Sequence, residues 1–163
     1  MQSNPALFVR CMKRRYELAK PEEILVAAQQ IVDARMQRGA SFTDPAAACD
    51  FFRDKLAGQE REVFAVVLLD TRHRLIDYVE LFFGTIDGAE VHPREVARCA
   101  LRLNAAAVIV AHNHPSGEVT PSNADRAVTA RLKQALTLLD IRLLDHVIVG
   151  GRESLSMAKQ GMV

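Results

Sequence analysis

Two stretches of this chain carry no polar side chain at all: Val63-Phe64-Ala65-Val66-Val67-Leu68-Leu69 and Ala106-Ala107-Val108-Ile109-Val110-Ala111. Both are far too short to span a membrane, which takes roughly 20 apolar residues. Continuous apolar runs of this length, bounded by turn residues, read as buried strands. Asp70-Thr71-Arg72-His73 supplies the turn after the first, and Leu75–Phe83 reads as the return strand, ending at Gly84. Residues 90–94 read as a loop. A helix is predicted over 95–104, with Val96, Cys99, Ala100 and Leu103 on one face. After Pro121 comes a long amphipathic helix with Val128, Leu132, Ala135, Leu136 and Leu139 as its apolar stripe. A strand over 143–149, a turn at Gly150-Gly151 and a short strand over 154–157 complete the pattern. Strands alternating with helices from about residue 60 predict an α/β sandwich around one central sheet.

The first third is different. Pro21 suits the first position of a helix over 21–38, and Glu22 and Glu23 favour its positive end. Ile24, Ala27, Ala28, Ile31 and Ala34 recur at helical spacing. Thr43-Asp44-Pro45 opens a second helix over 45–56, closed by Gly58. The expected organisation is a helical N-terminal extension over 1–58 and a second region over 59–163, with no Pro/Gly/Ser-rich linker between them. Residues 1–20 are basic, with Arg10, Lys13, Arg14, Arg15 and Lys20 against Glu17. Such a run is either a solvated arm or a tail that binds a partner or nucleic acid.

Composition sets limits. A chain of 163 residues has the size of one domain, and 49% hydrophobic with 25% charged residues excludes a largely disordered chain. Twenty-one Lys+Arg against 20 Asp+Glu give a formal charge of +1, so non-specific nucleic-acid binding is not the main task. Cys11, Cys49 and Cys99 form no CxxC pair and read as reduced thiols. With no signal peptide and no membrane span, the expected location is the cytoplasm, with no membrane partner.

The chemistry concentrates where the second apolar strand ends. In His112-Asn113-His114-Pro115-Ser116-Gly117 the two imidazoles are residues i and i+2 of an extended segment, so they point to one side. Ligands collect beyond the carboxyl ends of strands in open α/β sheets. Asp125 follows in the first turn of the next helix and can bring a carboxylate to the same place. Two His and one Asp leave a zinc ion a fourth position for water, the pattern of a catalytic rather than a closed structural site. Plainer readings exist: two surface imidazoles, and Ser122-x-x-Asp125 as a helix N-cap with an acidic third residue. The second is compatible with metal binding.

His112-x-His114-Pro115, seven residues, then Ser122-x-x-Asp125 resembles the JAMM metal motif of the JAB/MPN superfamily. HNHPSG followed by PSNAD resembles its RadC branch, with supporting matches at REVFAVVLLD (61–70), VHPREV (91–96) and LLDHVIVG (143–150). The resemblance covers about residues 60–157. It implies a three-layer α/β/α sandwich with a central mixed sheet, of the cytidine-deaminase-like type, and one zinc ion per chain. His112, His114 and Asp125 become the metal ligands and Ser122 the donor to an oxyanion. Catalytic relatives cleave peptide or isopeptide bonds, so the implied partner is a protein or peptide. The motif also implies an upstream Glu as general base. Glu62, just before the first apolar strand, is the choice, with Glu95 its main rival and Glu60, Glu80 and Glu90 behind. The RadC label of DNA repair supplies the alternative: a non-catalytic accessory module of repair or mobile elements, its metal site structural or vestigial. The helix-hairpin-helix region found in many RadC proteins has no counterpart in residues 1–58. Asn113 stands where deubiquitinating relatives have Ser or Thr. The deaminase signature, H-x-E with a later P-C-x-x-C, is absent. His73 and His92 read as loop residues. Asp145-His146 reads either as support behind the metal or as a hydrogen bond at a strand start.

Overall fold

A computed structural model describes residues 8–10, 16–35, 41–84 and 90–163. The chain divides into two compact units, Met1–Arg35 and Met36–Val163. In the first, β1 (Phe8–Arg10) pairs antiparallel with β2 (Tyr16–Leu18), and α1 (Pro21–Arg35) follows. The basic stretch therefore contains a short antiparallel strand pair, while Lys13, Arg14, Arg15 and Cys11 lie outside the described residues. Of the expected α1 stripe, Ala27 and Ala28 are exposed and Ile31 is 55% exposed, while Ile24 is half-buried.

The second unit runs α2 (Pro45–Leu56), β3 (Val63–Leu69), β4 (Leu75–Phe83), α3 (Pro93–Arg102), β5 (Ala107–Asn113), α4 (Asn123–Thr137), β6 (Arg142–Gly150) and β7 (Glu153–Ser156). Its five-stranded sheet has the order β4-β3-β5-β6-β7. Only β5 and β6 are parallel; the other pairs are antiparallel, which makes the sheet mixed.

The apolar runs are explained by two faces that are both covered. Val63, Ala65, Val67 and Leu69 of β3 and Ala107, Ile109 and Ala111 of β5 pack with Phe42, Phe51, Phe52 and Leu56. The alternate residues Phe64, Val66, Leu68, Val108 and Val110 pack with Val96, Cys99 and Ala100 of α3 and Leu132 and Leu136 of α4. Successive strand side chains point to opposite faces, so a strand buried on both sides has no polar position. The result is three layers: α2, sheet, and α3 with α4.

Several boundaries differ from expectation. The compact units divide after Arg35, not near residue 58, because α2 supplies one whole layer of the core. Pro93, which fixes the first helical φ, starts α3 two residues earlier than the apolar spacing suggests. β5 begins at Ala107 and continues through His112 and Asn113. α4 stops at Thr137, leaving Leu139 38% exposed, and Thr129 is buried in the stripe instead. Gly150 is the last residue of β6 rather than part of a turn.

Candidate metal centre

His112 continues the side-chain alternation of β5 and so faces α4, opposite Phe64 of β3 and Ile148 of β6. His114 lies one residue beyond the strand. Its N–H donates to the Val149 carbonyl (2.8 Å), and its ring Nδ1 meets the Glu118 carbonyl (2.6 Å). A carbonyl only accepts, so Nδ1 of His114 bears a proton, and Nε2 is the ring nitrogen left to face an ion. The loop that carries His114 folds against β6 because residue 150 is glycine. A Cβ there would overlap the carbonyl oxygen of Gly117 and lie 2.8 Å from Val119 Cγ1.

Asp125 is the third residue of α4. Ser122 caps the helix: its hydroxyl accepts from the Asp125 N–H (3.1 Å), and Asp125 Oδ2 accepts from the Ser122 N–H (2.7 Å). The same Oδ2 accepts from the Ser122 hydroxyl (2.6 Å). This capping box fixes the carboxylate with Oδ1 turned toward the histidines.

Three side chains converge as a result, with both carboxylate oxygens of Asp125 near the imidazoles. His112 Nε2 is 2.9 Å from His114 Nε2 and 3.1 Å from Asp125 Oδ1, and His114 Nε2 is 3.7 Å from Asp125 Oδ2. Two ligand atoms sharing a tetrahedral zinc lie about 3.3 Å apart, from the usual Zn–N length near 2.05 Å. The separations straddle that value, so the set fits a zinc-sized ion with movements of a few tenths of an ångström. Burial works against the Asp125 charge. The His112 hydrogen bond and charge, with the Ser122 bonds, overcome it and hold the carboxyl well below its usual range. Among the described residues these three are the one group of His, Cys, Asp or Glu side chains able to share an ion.

The triad opens into a cavity of about 590 Å³, also lined by Glu62, Phe64, Glu90, Ser122 and Arg131. Of the candidate bases, Glu62 and Glu90 line this cavity. Glu95 does not, and its Oε2 accepts from Arg98 Nε (2.9 Å) and Nη2 (2.6 Å). Glu80 accepts from the Tyr78 hydroxyl (2.9 Å), and Glu60 is exposed and outside the cavity lining. The Glu62 segment is pinned from both sides. The Asn113 Oδ1 accepts from the Val63 N–H (2.8 Å), and its Nδ2 donates to the Arg61 carbonyl (3.0 Å). The Gly84 N–H also donates to the Glu62 carbonyl (2.8 Å).

Asp145 and His146 take different parts. Asp145 Oδ1 accepts from the N–H groups of His146 (2.7 Å) and Ala158 (2.9 Å), and Oδ2 from the Ser156 hydroxyl (2.6 Å). Burial pushes its carboxyl up, those bonds partly offsetting it. His146 is fully buried and its Nε2 lies 2.8 Å from His112 Nδ1. Burial and the neighbouring His112 charge press its imidazole well below the usual range. Sequence reasoning did not single out Thr129, Arg131 or the pinning role of Asn113. His73 sits in the β3–β4 turn and His92 precedes α3, both as loop residues. No helix among the described residues is long and apolar enough to cross a membrane.

A sequence profile of the RadC-like JAB domain family matches residues 42–162. A UPF0758 protein of Vibrio cholerae serotype O1 is 52% identical over 149 residues, 91% of this chain and 91% of that protein. A UPF0758 protein of Xylella fastidiosa is 59% identical over 128 residues, 78% of this chain but 57% of that protein. One of Shewanella amazonensis is 52% identical over 136 residues, 83% of this chain and 60% of its own length. The chain thus spans nearly all of the Vibrio protein and little more than half of the other two.

Proposed function

This chain belongs to the RadC-like JAB domain family, and from that premise we propose a zinc-dependent hydrolase of JAMM type that cleaves a peptide or isopeptide bond. The observation that carries the proposal is the convergence of His112, His114 and Asp125 in the cavity that Glu62 also lines. Those three residues would hold one ion. When bound there, such an ion polarises a carbonyl and acidifies a water.

The chain's own residues do the rest. Glu62 stands on a segment fixed by Asn113 and Gly84, so its carboxylate needs little reorganisation to take a proton from the attacking water. It then returns that proton to the departing nitrogen. Ser122 lines the same cavity, and its hydroxyl proton rests on Asp125 Oδ2. Turned off that oxygen, it donates to the oxyanion of the tetrahedral intermediate, while the Ser122 N–H keeps Asp125 in place. Phe64 and Val91 supply apolar wall.

The test joins metal analysis to turnover on a library of quenched fluorogenic peptides and isopeptides. One zinc per chain is expected in the wild type and in Glu62→Gln, and none in His112→Ala/His114→Ala. Hydrolysis should belong to the wild type alone. Equal zinc in the double variant overturns the site, and undiminished hydrolysis by Glu62→Gln overturns the role of that glutamate.

A further inference from the structure

We propose that Thr129 and His146 form a one-way hydrogen-bond relay that fixes a proton on His112 Nδ1 and so reserves its Nε2 for an ion shared with His114 and Asp125. The inference rests on the metal-site reading above and concerns two residues outside the ligand set.

The direction follows from the far end. Thr129 Oγ1 lies 2.6 Å from the Asp125 main-chain carbonyl oxygen. A carbonyl has no proton to give, so the Thr129 hydroxyl donates there, and its single proton is spent. The reverse assignment would leave two oxygens 2.6 Å apart with no hydrogen between them. The other acceptor within reach, Met157 Sδ, is at 3.8 Å and is weak. Thr129 Oγ1 also lies 2.6 Å from His146 Nδ1 and can now only accept, so His146 Nδ1 carries a proton. His146 is wholly buried, and no carboxylate among the described residues hydrogen-bonds its ring. A neutral imidazole has one donor, so its Nε2 accepts. The partner at 2.8 Å is His112 Nδ1, which must therefore donate. Both rings are held in position by Phe64, stacked on His112 at 6.3 Å between centroids and edge-on to His146 at 5.7 Å.

The relay starts and ends on the metal-site residues themselves. It runs from the Asp125 main chain through Thr129 and His146 to the His112 ring, tying the helix ligand to the strand ligand. Ligating histidines commonly donate their second ring nitrogen to a fixed acceptor, and loss of that acceptor costs about 10–100-fold in metal affinity. In this chain the acceptor is another histidine, which can face either way, and Thr129 sets which way it faces.

Long-range ¹H–¹⁵N NMR of the metal-free wild type at alkaline pH, with the imidazoles neutral, reads the proton positions directly. The expected result is a proton on His146 Nδ1 and none on His146 Nε2; Nε2–H on His146 overturns the relay. Zinc affinity by chelator competition gives a second reading. Thr129→Val, checked for wild-type circular dichroism, should bind zinc about 10–100-fold more weakly. Thr129→Ser, which keeps the hydroxyl, should restore binding. Wild-type affinity in Thr129→Val overturns the proposal. Failure of the wild type to take up zinc would instead remove the metal reading, and the NMR assignment would still decide the relay.

Discussion

Asn113 sits between His112 and His114 and points to the other face of the sheet. Its amide spends its oxygen on Val63 N–H and its nitrogen on the carbonyls of Arg61 and, at 3.4 Å, Gln59. It therefore brackets Glu62. Asn113→Asp keeps the acceptor but sets a carboxylate against two carbonyl oxygens, at an expected cost of about 1–3 kcal/mol for the unpaired buried groups. On the proposed function, zinc content should stay at one per chain while hydrolysis falls, because His112, His114 and Asp125 are intact and Glu62 has lost its anchor. Denaturant unfolding beside metal analysis checks both halves. At this scale the sequence was partly legible. Spacing drew attention to the histidine pair and Asp125, and to Ser122 as a helix cap, because all four lie within fourteen residues on one strand–loop–helix connection; the part of Ser122 in the chemistry came only with the family resemblance. The partners of Asn113 lie 50 or more residues away, and His146 meets His112 across 34. No local pattern announces contacts of that range.

Strands and helices were legible where burial is two-sided or capping is explicit. Val63–Leu69 and Leu75–Phe83 fall where the apolar runs place them. A β-bulge was not legible. Val108 pairs with Leu143 but Ile109 with Asp145, so β6 carries one extra residue. That residue shifts the alternation and brings His146 onto the α4 face beside His112; an unbulged strand would turn it toward α2. Gly150 is a second element-scale device. Gly150→Ala must push the Gly117 loop off β6, and an expected loss of about 1–3 kcal/mol follows from the overpacking. Because His114 hangs from that loop, zinc affinity should fall with it; a variant losing stability but not affinity would show that the loop repacks without moving the ligand. The β3–β4 turn makes a pH prediction. The Arg74 N–H, the Arg74 side chain and the Arg72 N–H all donate to Asp70, holding its carboxyl down to about 2. A carboxyl lowered in the fold adds stability above its unfolded value, about 3.9, and loses it as pH falls toward the folded one. Asp70→Asn should therefore be less stable than wild type at neutral pH, with the gap in unfolding midpoint narrowing on acidification.

At the scale of the whole molecule, the seam between units was the feature read least well. Composition changes after Gln59 because the first core strand begins there, and a sequence shows that change more readily than a packing boundary. Packing places α2 with the sheet: Ala48, Phe51, Phe52 and Leu56 form the layer opposite α3 and α4. Every member of both core clusters lies at Phe42 or beyond, and the family match also starts at residue 42. The three candidate metal ligands, Glu62 and the Thr129–His146 pair all belong to this second unit. A chain beginning at Met36 should therefore unfold cooperatively within about 5 °C of the full chain, the shift that ~1 kcal/mol makes in a domain of this size. It should also bind one zinc with unchanged affinity. A larger thermal loss, read by calorimetry, would show that residues 1–35 stabilise the fold itself. The same pair of proteins decides what the basic segment does. Duplex DNA binding at low salt that disappears with residues 1–35, yet survives His112→Ala/His114→Ala, would assign nucleic-acid contact to the first unit and leave hydrolysis to the second.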